Sequence, residues 1–122
     1  MREILFRAKD NAKEWRFGFL TAQFGYGVDD FDLQILTQAC GELCYIDPET
    51  VGQYTGVKDK NGIKIFEGDI IKCGYQVWLI CWIESGFWVH STLLKSSIRF
   101  TAESAGKSEV IGNMYDNPEL LD

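Results

Sequence analysis

The sequence predicts an all-β protein: a small SH3-like barrel over residues 47–115, preceded by an N-terminal β-rich segment over 1–46 and followed by a short tail over 116–122. Three observations predict it. Glycines and pairs such as Asp47-Pro48 and Asn61-Gly62 punctuate the chain, and these residues mark turns. Between them apolar residues recur with a two-residue period, the spacing of a half-buried strand. Only one stretch, 31–44, has a helical stripe of any length. Six or more short strands with glycine corners fit a barrel or a sandwich.

Residues 3–8 place Ile4 and Phe6 on one side and Leu5 and Arg7 on the other, a first strand that ends at the turn signal Asp10-Asn11. Trp15, Phe17 and Phe19 set the period of a second strand over 15–20. Phe24-Gly25-Tyr26-Gly27 is too rich in glycine for a regular element and reads as a loop or bulge. Residues 31–44 admit two readings. Phe31, Ile35, Leu36, Ala39, Cys40 and Leu43 line one side of a helix capped by Asp29 or Asp30. Alternatively, strands at 33–37 and 43–46 are joined by a turn at Cys40-Gly41-Glu42. Gly41 costs a helix interior about 1 kcal/mol, which favours the strands.

Asp47-Pro48-Glu49 is a turn, and residues 52–56 form a short β-prone run between glycines. Asn61-Gly62 predicts a type I′ hairpin, with positive φ at both central positions. Ile63 and Ile65 alternate with Lys64 and Phe66, and Glu67-Gly68-Asp69 turns the chain into Ile70-Ile71-Lys72-Cys73. The run QVWLICWI, residues 76–83, is apolar on both faces and so requires cover on both sides, by core on one and by a further segment, partner or ligand on the other. Glu84-Ser85-Gly86 returns it into residues 87–90. With Ser85-Gly86 as a two-residue loop, Ile83 faces Trp88 and Cys81 faces His90. Residues 101–108 are polar and read as a loop, and 109–115 as the last strand. Asn117-Pro118 opens a single helical turn that Leu120 and Leu121 tuck against the body.

The chain has 122 residues, 46 % hydrophobic and 14 % aromatic, with a net charge of −6. That composition supports a packed core rather than disorder. Residues 1–45 carry five basic and seven acidic side chains, residues 46–115 seven and eight, and the last seven residues three acids and no base. No segment is basic, which argues against a nucleic-acid backbone as partner, unless folding gathers Lys58, Lys60, Lys64 and Lys72. No apolar run approaches the roughly 18 to 20 residues of a membrane span, and the N-terminus has no apolar signal core, so a cytoplasmic protein without membrane contact is expected. Cys40, Cys44, Cys73 and Cys81 lack the close pairing of zinc ligands and are expected as reduced, buried thiols.

Little in the sequence points to a reaction. His90 is the only histidine. The nucleophile-elbow, phosphate-loop and zinc-protease motifs are absent. Cys81 with His90 is a conceivable nucleophile and base, but a buried thiol beside a strand-end imidazole is the simpler reading. Asp29, Asp30 and Asp32 are a conceivable cation cluster, though a solvated loop accounts for them. The expectation is a protein that is not an enzyme and holds no cofactor or metal. Its candidate binding surface is aromatic, Tyr54, Trp78, Trp82 and Trp88, with core filling by the tryptophans and a structural role for Tyr54 as the simpler reading. The expected partner is a host or phage protein, or a second copy of the chain. A nucleic-acid-binding accessory factor is the alternative.

Three stretches taken together, MREILFRAKD, VGQYTGVKDKNGIKIFEGDIIK and EVIGNMYDNPELL, resemble the YopX-like proteins of bacteriophages and prophages. The resemblance covers the start, middle and end of the chain in order. It implies an SH3-type C-terminal part and a phage or prophage origin in a bacterial host; it does not imply a biochemical function. Lys9 departs from the pattern, standing where the family often has Trp, and residues 11–45 match no motif of it.

Overall fold

The computed structural model describes residues 3–24, 31–37, 41–83, 86–91 and 96–121, with the strand backbone alone at 22–24, 31–33 and 96. It is an all-β chain of two antiparallel sheets with almost no helix. The strands are β1 (Phe6–Lys9), β2 (Trp15–Phe24), β3 (Phe31–Thr37), β4 (Leu43–Tyr45), β5 (Gly52–Lys58), β6 (Lys64–Phe66), β7 (Asp69–Cys73), β8 (Gln76–Ile83), β9 (Gly86–Ser91), β10 (Ser96–Arg99) and β11 (Glu109–Asn113). One sheet has the order β4-β3-β2-β1-β5-β6 and the other β10-β9-β8-β7-β11. The chain divides into two compact units, Met1–Gln53 and Tyr54–Asp122.

The first unit is built on β1 to β4. Strands β3 and β4 stand where the sequence also admitted a helix, as the cost at Gly41 favours: Gly41 takes φ +67° and its N–H bonds the Thr37 carbonyl. Inward-facing Ala8, Ile35 and Ile46 form the core, with Leu20 and Val51 packed on them. Gly18 is required where it stands. It lies between Phe6 and Thr37 in the sheet, and a Cβ there would sit 1.9 Å from the Leu36 carbonyl oxygen. Residues 46–52 are tied to β1. Ile46 bridges Asp10, the Asp47 N–H bonds the Lys9 carbonyl, the Thr50 hydroxyl accepts from the Lys9 N–H, and Gly52 pairs with Arg7. Residues 47–53 are therefore fastened to β1. Asp47 caps a 3₁₀ turn at Pro48–Thr50, accepting from the Glu49 N–H.

In the second unit β5 pairs with β6, and β7 to β10 form an antiparallel meander whose first strand also pairs with β11. Among the described residues no ladder joins β10 to β11, so the sheet is open. Its core is Ile65, Ile71, Trp78, Ile80, Val89 and Ala105; each large apolar side chain so buried contributes about 1.5 to 3 kcal/mol.

Several local expectations change. The 101–108 loop contains helix α1 (Ala102–Gly106), because the Thr101 hydroxyl accepts the Ser104 N–H and caps it, which lets Ala105 reach the core. The β5–β6 turn is not type I′. The Gly62 N–H bonds the Asp59 carbonyl and Gly62 alone takes φ +79°, while Asn61 has an ordinary negative φ. This is a type I turn followed by one left-handed residue. The β1–β2 turn repeats it, with the Lys13 N–H on the Asp10 carbonyl and Lys13 at φ +63°. The last strand stops at Asn113, and a 3₁₀ turn follows at Pro118–Leu121, in contact with β8.

Candidate functional site

The four aromatic residues selected from sequence do not form one surface. Tyr54 is buried, 5.6 Å from the Phe66 ring, with the Lys64 ammonium 5.3 Å from its own ring. Trp78 is buried opposite Ile71. With Cys73, Gln76, Val89, Ile98 and Ser104 these two residues line a cavity of about 210 Å³, smaller than the roughly 300 to 1,000 Å³ of small-molecule sites. Trp82 is 46 % exposed and meets Phe87 edge-on at 4.7 Å. Trp88 is half-buried between Cys81 and Arg99. Because Trp82 is opposite Phe87, and neighbours along a strand point to opposite faces, Trp82 and Trp88 lie on different sides of the sheet. Tyr54 and Trp78 serve the core because strand alternation turns both inward.

The β8–β9 register corrects the expected pairing. Ile83 pairs with Gly86, Cys81 with Trp88 and Leu79 with His90, so Cys81 does not face the histidine; the expected loop residue Ser85 lies outside the described residues. His90 Nδ1 lies 2.8 Å from the Ser97 hydroxyl. Burial pushes the Cys81 thiol above its ordinary pKa, and the charge of Glu67 adds to the effect; a nucleophilic cysteine needs the opposite shift. Cys44, Cys73 and Cys81 are unbridged and half-buried rather than fully buried, and Cys40 lies outside the described residues. Asp29 and Asp30 also lie outside them, and Asp32 is described only by its backbone pairing with Gln23. Among the described residues no three His, Cys, Asp or Glu side chains are placed to hold a metal ion, and no helix is long and apolar enough to cross a membrane. Of the lysines that folding might have gathered, Lys60 pairs with Glu109 at 3.8 Å and Lys64 covers Tyr54.

The surface that stands out is on the first unit. Phe19, Leu36 and Leu43 are directly opposed across β2, β3 and β4 and are 53 %, 37 % and 55 % exposed. Phe17 lies next to Phe19 on the same face of β2, and Tyr45 lies beyond Leu43 on β4; both are exposed. The face is fixed by the opposite one: Ala8, Ile35 and Ile46 take the interior, so the alternate positions must point outward. At the β1 side Arg7 stacks on Trp15 at 4.6 Å, and Lys9 lies 5.4 Å from the same ring. Lys9 thus places a cation on an aromatic ring. Sequence reasoning missed this face because Trp15, Phe17 and Phe19 at a two-residue period look like a strand's buried side. The signal lay in the intervening positions: Gly18 admits the neighbouring backbone closely, and Leu20 packs on the core.

The family model described as YopX protein matches residues 5–122. The chain belongs to the YopX family. Among solved structures this YopX chain is similar to protein EF1440 from Enterococcus faecalis, with 26 % identity and a TM-score of 0.65, covering 100 % of both chains. No curated protein matches it. The match includes the first unit, and with it the apolar face of β2, β3 and β4.

Proposed function

We propose that this YopX protein is a phage- or prophage-encoded binding or assembly module without a catalytic role, and that it docks a protein partner on the outer face of β2, β3 and β4. One observation carries the reading. Five large apolar side chains, Phe17, Phe19, Leu36, Leu43 and Tyr45, lie exposed on one sheet face, and monomeric proteins seldom leave so contiguous an apolar surface bare. The raised pKa of Cys81 and the pairing of His90 with Leu79 argue against Cys81 and His90 acting as nucleophile and base. The second unit is read as an SH3-type roll serving as scaffold: a four-strand meander, one helical turn, and a last strand returning to the first is the connectivity of that fold. A cytoplasmic location in the bacterial host goes with this reading.

The test is a pull-down from the bacterial host with wild-type chain and with the double variant Phe19→Thr/Leu43→Thr. Threonine keeps strand propensity and removes the apolar surface. Proteins captured by the wild type and lost by the variant support the reading. A capture profile the same for both contradicts it.

A further inference from the structure

We infer that the cavity of the second unit binds a small, neutral, single-ring aromatic molecule that carries a carbonyl acceptor. The inference is independent of the docking role proposed above, which concerns the first unit. The cavity lies on the core side of the β7–β10 meander and measures about 210 Å³. A cavity of roughly 150 Å³ holds benzene, so one substituted ring fits and a larger molecule does not. Ile71, Trp78 and Val89 form its buried wall. Cys73, Gln76, Ile98 and Ser104, each partly or fully exposed, complete it toward solvent.

No lining side chain is charged. Lys72 and Arg99, next to Cys73 and Ile98 in sequence, point to the other face of the sheet by strand alternation, and Glu103 reaches Lys107 at 3.3 Å. A charged ligand would give up its hydration and meet no counter-charge, so the lining selects a neutral one. Trp78 is 9 % exposed, and among the described residues its indole N–H makes no hydrogen bond. A buried indole N–H ordinarily has a partner, and leaving it unpaired is costly. A ligand carbonyl is the acceptor it lacks. The ring of such a ligand packs against the indole and the branched side chains of Ile71 and Val89. The Gln76 side-chain amide, also without a hydrogen bond among the described residues, has a donor and an acceptor to offer a carboxamide.

The experiment follows the indole N–H signals of the isotope-labelled full chain by NMR while benzamide, toluene or benzoate is added. The chain has four tryptophans, and the signal that Trp78→Phe removes belongs to Trp78. Benzamide is expected to shift that signal saturably, with a dissociation constant on the order of a millimolar or below. Toluene fits but has no acceptor, and is expected to bind about fivefold more weakly; benzoate is expected not to bind. Ile98→Trp, a change at an exposed position that narrows the opening, is expected to abolish the saturable shift. Should Trp78→Phe fail to fold, protection of Cys73 from iodoacetamide by benzamide, with Cys44 unprotected, reads the same site in the wild-type chain. No saturable shift and no protection with any probe, or a Trp78 shift undiminished by Ile98→Trp, overturns the site. Toluene or benzoate binding as tightly as benzamide overturns the ligand class.

Discussion

The Asp59 carboxylate accepts the Val110 backbone N–H at 2.9 Å, across 51 residues of chain. Its other oxygen accepts from Asn61 at 2.8 Å and Ile63 at 2.9 Å. One buried side chain thus shapes the β5–β6 turn and ties it to β11. Burial alone would raise its pKa; the N–H groups of Val110, Ile63 and Asn61 outweigh burial and hold it below the ordinary carboxylate value. Hydrogen bonds to a charged group contribute about 1.5 to 3 kcal/mol, so Asp59→Asn should destabilise by about 2 to 3 kcal/mol in urea unfolding. The native pKa is depressed, so the charged form's contribution is complete above the unfolded value of about 3.9. It disappears as pH falls through the lower native value. The gap between wild type and variant should therefore narrow below about pH 4; a gap that stays constant down to pH 2 contradicts the assignment.

The two hairpin turns make opposite predictions. Asp10 does in β1–β2 what Asp59 does in β5–β6, accepting from Ala12 at 2.8 Å and Glu14 at 3.0 Å. The left-handed position is Lys13 in one turn and Gly62 in the other. A non-glycine residue there is strained by about 1 kcal/mol. Lys13→Gly should stabilise by about 0.5 to 1 kcal/mol, and Gly62→Val should destabilise by more than about 1 kcal/mol, both measured as urea midpoints.

Gly18→Ala should be the most damaging small substitution in the first unit. Its Cβ would overlap the Leu36 carbonyl, and backbone must move to admit it. A loss of about 3 kcal/mol is expected, read as a drop in thermal midpoint. A neutral result would mean that β2 and β3 are spaced more widely.

Cys81 should react slowly with iodoacetamide. Site-resolved mass spectrometry across a pH series should give it a titration midpoint above the ordinary thiol value, as burial requires. A midpoint below neutral would reopen nucleophilic chemistry at this residue.

Legibility in the sequence followed the physics of each element. The bounds of β8 were readable because seven consecutive apolar residues after Gln76 stand between turn signals, and the YopX resemblance was readable from its turn-rich middle segment. Strand pairing at 31–44 followed from Gly41. The hairpin type was not readable, because Asn61-Gly62 permits two turns and the choice is made by Asp59, whose carboxylate also serves distant Val110. Helix α1 was hidden in polar residues, since its only apolar contact is Ala105. The docking face was hidden because periodicity shows that a strand has two sides but not which one is buried. For the same reason the periodicity of Phe17 and Phe19 located β2 without telling which side faces out.

The most direct measurement places a photo-crosslinking phenylalanine derivative at Tyr45, on the apolar face, or at Tyr75, fully exposed on the turn between β7 and β8, in cells that express the full chain. The account predicts a discrete crosslinked protein partner from position 45 and none from position 75. Crosslinks of equal yield from both positions, or from position 75 alone, would contradict it.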